Sequence, residues 1–274
     1  MRNGLLLYAP EDIRRNTWFI RELCQNAELE GVSLRLCAVQ ADQSPEEIFA
    51  DAKPDLVLNR SRYKKFSEYC EEILRIPVYN SARVTAVTGS KFRTYQILGL
   101  QHGIPMAETW QIGTDDPLPD LPLPLVAKPD DGHGGEGVTW LADSAALEAY
   151  VQQTPRPFLL QKPVRTGWDM RIYVLGSEIY SAILRTSDTD FRSNFSLGGR
   201  VQAVQPDACA AALVRQITEI LPLDFAGVDL LRAPDGCYVL GEIEDAVGCR
   251  MLYQETALNP ARDLIRYVCR KKGY

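Results

Sequence analysis

Apolar positions open the chain as a block and then spread out. Leu5-Leu6-Leu7 is a short continuous run. Trp18, Ile20, Leu23 and Leu29 then recur at helix-like intervals, before a second run over 34–39. This pattern predicts strand, amphipathic helix, strand, a β-α-β opening. A helical stretch over 46–52 precedes the run Leu56-Val57-Leu58, and another over 68–74 precedes Ile76-Pro77-Val78-Tyr79. Alternating strands and helices predict a small parallel sheet.

Beyond about residue 85 the rhythm changes. Runs at 125–128, 138–141, 158–161, 170–175, 179–185, 227–231 and 238–244 read as strands, mostly joined by hairpins. Helical patterns lie near 91–99, 145–152, 208–221 and 261–269. The expected fold class is α/β, with an α+β second region and a boundary near 81–87. The proline-rich segment 117–124 predicts a stiff, solvent-exposed loop, and the sequence carries no internal repeat.

Composition narrows the function. With 274 residues, 46% apolar and 24% charged, the chain matches a globular protein of two or three lobes. A net charge of -6 and no basic run beyond Arg270-Lys271-Lys272 argue against nucleic acid as a partner. Leu5-Leu6-Leu7 is too short to span a bilayer and soon meets Pro10, Glu11 and Asp12, so neither a membrane nor a signal peptide is expected. The expected location is the cytoplasm. Seven cysteines without a C-x-x-C pair read as scattered reduced thiols.

The most informative cluster is acidic. Gly227-Val228-Asp229-Leu230-Leu231 and Tyr238-Val239-Leu240-Gly241-Glu242-Ile243-Glu244 flank Pro234-Asp235-Gly236, and Asp-Gly is a hairpin turn signal. If Asp235 and Gly236 are the two turn residues, Asp229 faces Glu242 and Glu244 shares that face. Three carboxylates on one face repel each other unless cations intervene. A divalent metal with hard oxygen ligands answers that, and a solvated acidic face answers it equally well. One more residue in the turn would shift the register and break the alignment.

A second cluster lies upstream. Lys128 ends a strand that feeds Asp130-Asp131-Gly132-His133-Gly134-Gly135-Glu136-Gly137, a loop whose four glycines allow close backbone approach to phosphates. It is not a Walker A loop, because no Gly-Lys-Ser/Thr follows. His133 and His102 read as exposed surface residues.

Taken in order, Lys91, Lys128 with the glycine loop, Phe158-Leu159-Leu160-Gln161-Lys162-Pro163-Val164, Asp169-Met170-Arg171, Phe191-Arg192-Ser193-Asn194-Phe195 with Gly198-Gly199, Asp229 and Glu242-Ile243-Glu244 resemble the ATP-grasp superfamily. The RimK-type carboxylate-amine ligases are the nearest likeness, which also takes in Asn59-Arg60 and Tyr79-Asn80-Ser81. The resemblance implies an N-terminal Rossmann-like pre-ATP-grasp domain over 1–84. A two-lobed ATP-grasp domain with antiparallel sheets would follow over 85–274, its central lobe about 85–165 and its C-terminal lobe about 166–274.

It also implies roles. Lys91, Lys128, Gly132, Gly134 and Gly135 would meet ATP phosphates, and Gln161, Lys162, Pro163 and Val164 would form the hinge that receives adenine through backbone groups. Asp169 would fix the nucleotide near the ribose. Arg192, Ser193 and Asn194 would reach the phosphates, with Arg185, Arg192 and Asn194 serving catalysis. Asp229, Glu242 and Glu244 would bind Mg²⁺, two ions with Mn²⁺ as an alternative.

Three departures stand out: Glu244 where the family usually has Asn, Lys162 where it is usually acidic, and no proline in Asp245-Ala246-Val247-Gly248. In the simplest hairpin about Gly176-Ser177, Arg171 and Arg185 fall on opposite faces unless a bulge intervenes.

The implied activity is ATP-dependent amide or peptide bond formation through an acyl phosphate, between a small-molecule or peptide carboxylate and an amine. Arg60 and Asn80, with Arg83 behind them, are candidate contacts to the substrate carboxylate. As strand-end residues they read equally well as surface positions. An ATP-binding regulator without ligation, or a kinase, would share the nucleotide residues. The sequence leaves the oligomeric state open, a homo-oligomer included.

Overall fold

The structure is a computed structural model of the chain. It describes residues 1–114, 116–118, 120–132, 137–155, 157–164, 167–187 and 200–271. The N-terminal part alternates as the pattern predicts: β1 (Arg2–Tyr8), α1 (Pro10–Leu29), β2 (Val32–Ala38), α2 (Pro45–Phe49), β3 (Leu56–Asn59), α3 (Lys64–Tyr69) and β4 (Val78–Tyr79). The four strands form a parallel sheet in the order β2-β1-β3-β4.

Alternate residues of β1 enter different cores. Leu5 and Leu7 pack with Val57, Phe66 and Val78, while Leu6 and Tyr8 pack with Phe19, Leu23 and Leu58. A strand covered on both faces needs no polar alternation, which is why Leu5-Leu6-Leu7 reads as an unbroken run. Helix α1 corrects the expected stripe. Its buried side chains include Phe19, Ile20, Leu23 and Ala27, whereas Leu29 is 83% exposed and Trp18 44%. At 3.6 residues per turn, Leu29 lies about 240° around the helix from Leu23 and faces water.

The chain continues through α4 (Ala82–Thr88) and α5 (Lys91–Thr94) to β5 (Thr109–Ile112), β6 (Leu125–Lys128), β7 (Thr139–Leu141), α6 (Ser144–Gln153) and β8 (Phe158–Gln161). These strands form an antiparallel sheet in the order β5-β8-β6-β7. The last part comprises β9 (Trp168–Leu175), β10 (Glu178–Thr186), β11 (Arg200–Val204), α7 (Ala208–Ile220), β12 (Phe225–Arg232), β13 (Tyr238–Glu244), α8 (Arg250–Glu255) and α9 (Pro260–Arg270). Its antiparallel sheet runs β11-β10-β9-β12-β13. The apolar pattern does not reveal β5, β11, α4 or α8, each too short or too mixed to carry a periodic signal. Among the described residues no helix is long and apolar enough to cross a membrane.

The two faces of this last sheet have different chemistry. Met170, Ile172, Val174, Val228, Leu230, Leu240 and Ile243 pack against Leu213, Val214 and Ile217 of α7. Asp169, Arg171, Arg185, Asp229, Glu242 and Glu244 alternate with them and take the other face.

The N-terminal sheet is fastened to this last part. Leu6 and Leu58 share one core with Tyr173, Ile183 and Leu264. Asn80 follows β4 and is buried. Its Oδ1 accepts from the N–H groups of Asp224 (2.8 Å) and Phe225 (3.0 Å), and its Nδ2 donates to the carbonyls of Phe225 (2.8 Å) and Asp245 (3.1 Å).

Candidate active site

The acidic hairpin reaches the expected pairing by an unexpected route. Its tip is not a two-residue turn: the N–H of Ala233 donates to Cys237 O (2.8 Å), and that of Gly236 to Ala233 O (2.9 Å). The loop therefore has three residues, Pro234, Asp235 and Gly236, with Gly236 at φ +88°, a conformation that favours glycine. Arg232 pairs with Tyr238 and Leu230 with Leu240, one residue out of the simple register. A bulge at Gly241 then restores it, so that Asp229 faces Glu242 and Gly227 faces Glu244. The two departures cancel.

A second bulge corrects the arginines. Ile179 pairs with Val174 but Ser181 with Tyr173, so Tyr180 is the extra residue. Arg171 then sits opposite Ile183, and Arg185 opposite Asp169. Arg171 and Arg185 share one face.

That face is a charge network. Arg171 binds Asp229 bidentately, Nε to Oδ1 and Nη2 to Oδ2, both 2.7 Å, and its Nη1 lies 2.7 Å from Glu244 Oε2. Arg185 Nη2 reaches Asp229 Oδ2 at 2.7 Å, while its Nε donates to Asp169. Asp229, Asp169 and Arg185 are all buried. The two guanidinium groups hold the Asp229 carboxyl well below the usual range, against a burial penalty that pushes the other way.

The upstream elements bring lysines to this face. Lys91 opens α5, whose N-cap Ser90 accepts from Arg93 N–H. Its Nζ lies 3.4 Å from Glu242 Oε1 and also donates to Gly132 O at the start of the glycine loop. Asp130 fixes this arrangement: its Oδ1 accepts from Phe92 N–H (2.8 Å) and its Oδ2 from Ser90 Oγ (2.7 Å). Lys128 donates to Gln161 Oε1 (2.9 Å), and Gln161 Nε2 donates to Thr109 Oγ1 (2.8 Å). Burial pushes Lys128 down to about 8, with Lys91 adding to the fall and Glu242 and Asp130 opposing it.

The structure thus brings together Lys91, Lys128, Gly132, Gln161, Asp169, Arg185, Asp229, Glu242 and Glu244. Sequence reasoning gave no role to Arg171, the principal partner of Asp229, or to Asp130. The Asp-Met-Arg triplet contained the first signal, since residues two apart on a strand share a face. Lys162 is exposed and paired with Glu108, and its N–H donates to Glu108 O (2.9 Å). Of Lys162, Pro163 and Val164, the first has its N–H engaged by Glu108 O and the second has none.

Gly134, Gly135, Arg192, Ser193, Asn194 and His133 lie outside the described residues. His102 and Arg83 are exposed, whereas Arg60 and Asn80 are buried, not surface residues. Asn80 has all four polar hydrogen-bonding positions occupied within the chain, which corrects its expected role as a direct substrate contact.

Three hard carboxylates on one face have the donor chemistry for a divalent ion. In the present arrangement guanidinium groups hold both oxygens of Asp229 and one of Glu244. Among the described residues no group of three His, Cys, Asp or Glu side chains is disposed to hold a metal. The carboxylates suit such an ion by donor type, while in this arrangement the oxygens of Asp229 are bound to the two arginines.

The chain is 34% identical over 171 residues to human N-acetylaspartylglutamate synthase A, covering 58% of this chain and 44% of that protein. It is 30% identical over 209 residues to a probable alpha-L-glutamate ligase of Aeromonas salmonicida, covering 72% of this chain and 69% of the relative. The chain thus spans less than half of the human relative it matches.

Among solved structures, D-alanine–D-alanine ligase from Bacillus anthracis, complexed with ATP, superposes with a TM-score of 0.77 at 15% identity, covering 98% of this chain and 96% of that one. A RimK domain protein from Sphaerobacter thermophilus gives 0.69 at 19% identity over 97% and 98% of the two chains. At such identities the likeness establishes the fold. The RimK-like ATP-grasp domain model matches residues 88–268, two-thirds of the chain and the whole of the charged face, so this chain belongs to the RimK-like ATP-grasp family.

Proposed function

We propose that this protein is an ATP-dependent carboxylate-amine ligase that forms an amide or peptide bond and releases ADP and phosphate. The observation that carries the reading is the convergence of Lys91, Lys128, Arg171 and Arg185 with Asp229, Glu242 and Glu244 at one charged face. Phosphoryl transfer asks mainly for positioning and charge neutralisation, and this set offers both.

In the proposed reaction the γ-phosphoryl group of ATP passes to a carboxylate oxygen, giving an acyl phosphate and ADP. The amine then attacks the carbonyl carbon, the C–N bond forms, and phosphate leaves with the bonding pair. Lys91 and Lys128 neutralise phosphate oxygens, and Arg185 steadies the group in flight through the guanidinium edge that Asp169 and Asp229 leave open. The hinge beside Gln161 receives the base, with the Val164 N–H as donor. Gly134, Gly135, Arg192, Ser193 and Asn194 retain their proposed places at the phosphates.

ATP-grasp ligases use divalent metal ions, and here Asp229, Glu242 and Glu244 would hold Mg²⁺, with two ions the expected number and Mn²⁺ an alternative. A bound ion would supply Lewis-acid neutralisation of phosphate charge. Arg171 keeps Asp229 ionised and oriented, a role the family pattern alone did not assign.

The test is incubation with Mg²⁺, ATP and pools of amino acids and short peptides, glutamate first because the relatives' names contain it. Acceptor-dependent ADP release with a mass gain on an amine supports ligation. Tight ATP binding without turnover in any pool would replace it by a regulatory reading, and a stable phosphorylated product by a kinase. Asp229→Asn and Glu242→Gln should each abolish metal-dependent turnover while leaving the fold intact, whereas Glu244→Asn should be tolerated.

A further inference from the structure

Arg60 is the one candidate substrate residue whose surroundings ask for a ligand. It directly follows β3, is 5% exposed, and packs over the rings of Tyr8 (5.7 Å) and Phe19 (5.2 Å). Its Nε donates to Tyr8 Oη (2.6 Å) and its Nη2 to Val247 O (2.7 Å). Both acceptors are neutral groups. No carboxylate of the described residues forms an ion pair with it, although Asp245 is near enough to act on its charge.

Burying a guanidinium against neutral partners is costly, and a carboxylate gained there is worth more than at the surface. Nη1 of Arg60 makes no hydrogen bond among the described residues. The guanidinium is buried and pinned along two edges, with one edge free.

Its position in the fold is the second observation. In the order β2-β1-β3-β4 the chain turns opposite ways from β1 and β3, and the crevice between their carboxyl ends is where such sheets bind ligands. Tyr8 ends β1 and Arg60 follows β3. The start of α1 lies there too, with Asp12 held by Arg62 across the same gap. From the other side, Val247 belongs to the segment directly after Glu244, so the crevice adjoins the charged face.

We propose that Arg60 clamps a carboxylate that does not react, carried by one of the two substrates. It would select substrates with an anionic group beyond the carboxylate or amine that is joined. The inference rests on the ligase reading for its role and on Arg60 alone for its chemistry. A carboxylate there would gain the Nη1 edge, with Tyr8 Oη and Nε fixing the guanidinium plane. The carboxylate-bearing donor and the amine could each carry such a group, and the assay below separates them.

Calorimetric titration of the ADP-loaded chain with glutarate, glutaramate, L-glutamate, L-glutamine and L-isoglutamine tests the clamp. At least one dicarboxylate should bind about tenfold or more tighter than its monoamides, because the amide offers the fork only one good acceptor. Preference for glutarate, which has no amine, assigns the clamp to the carboxylate donor. Preference for L-glutamate alone assigns it to the amine.

Arg60→Lys should erase the preference while ADP affinity stays within about twofold, since the nucleotide residues are untouched. Tyr8→Phe, which keeps the ring and frees Nε, should weaken the preference several-fold and stands as the second variant if Arg60→Lys folds poorly. Equal binding of acids and amides, no binding of any probe, or an unchanged preference in Arg60→Lys would each overturn the clamp. Failure to bind ADP would instead strike the nucleotide reading, and is read in a separate titration.

Discussion

Replacing Arg171 by Met tests what holds the acidic face together. The substitution keeps the length of the side-chain stem and removes three contacts of 2.7 Å, two to Asp229 and one to Glu244. The side chains of Arg171 and Asp229 are 12% and 11% exposed, so solvent takes up little of the loss. Leaving a buried partner unpaired costs about 3–5 kcal/mol. Arg185 still holds one oxygen of Asp229, which favours the lower end of that range. At about 2–4 °C per kcal/mol for a chain of this size, the melting temperature should fall by roughly 6–15 °C in metal-free buffer.

Thermal and urea unfolding measure this directly. A double variant with Glu244→Gln should recover about 0.5–2 kcal/mol, because one orphaned charge is then gone. Mg²⁺ with ADP should raise the melting temperature of Arg171→Met more than that of the wild type, since metal would meet less competition for Asp229. A loss below about 1 kcal/mol would mean that the carboxylates do not depend on Arg171, and the network argument would be wrong.

Three further outcomes follow from the geometry. Lys128, pushed from 10.5 to about 8, binds a proton more weakly in the folded chain than in the unfolded one; stability should therefore rise with pH between those values, while ADP affinity falls above about pH 8. In Lys128→Arg the ADP affinity should stay flat to about pH 9.5, and a flat wild-type titration would refute the assignment. Asn80→Ala orphans two N–H groups and two carbonyls and should cost about 3 kcal/mol by urea unfolding, with ADP affinity retained. Gly227→Ala would place a Cβ 2.7 Å from Val247 Cγ2 and 3.3 Å from Arg171 Cδ, so it should cost about 1–3 kcal/mol and reduce metal-dependent turnover; wild-type behaviour in both assays would show that the neighbours yield freely.

The charged face shows where sequence patterning stops. Asp229 opposite Glu242 was legible from the Asp-Gly turn, but the reasoning assumed two turn residues and an unbroken ladder. The chain instead combines a three-residue loop with a bulge at Gly241, and the two shifts cancel. Arg171 and Arg185 were separated by the same assumption, which the extra residue at Tyr180 overturns. Side chains alternate with period two, so a single added residue reverses every face beyond it, and apolar periodicity does not register one residue.

By itself the sequence determined the parallel opening, the antiparallel body, the ordered set of lysines and carboxylates, and the family that this order resembles. These follow from local periodicity and from residue types whose chemistry needs no partner to be recognised. Tertiary structure alone decided that guanidinium groups neutralise Asp229 and Glu244 in this arrangement, that Asn80 is a buried clasp, and that Arg60 lies desolvated between two rings with an edge to spare. Those facts depend on contacts between residues 41 to 187 positions apart, and burial and charge balance arise only when such segments meet.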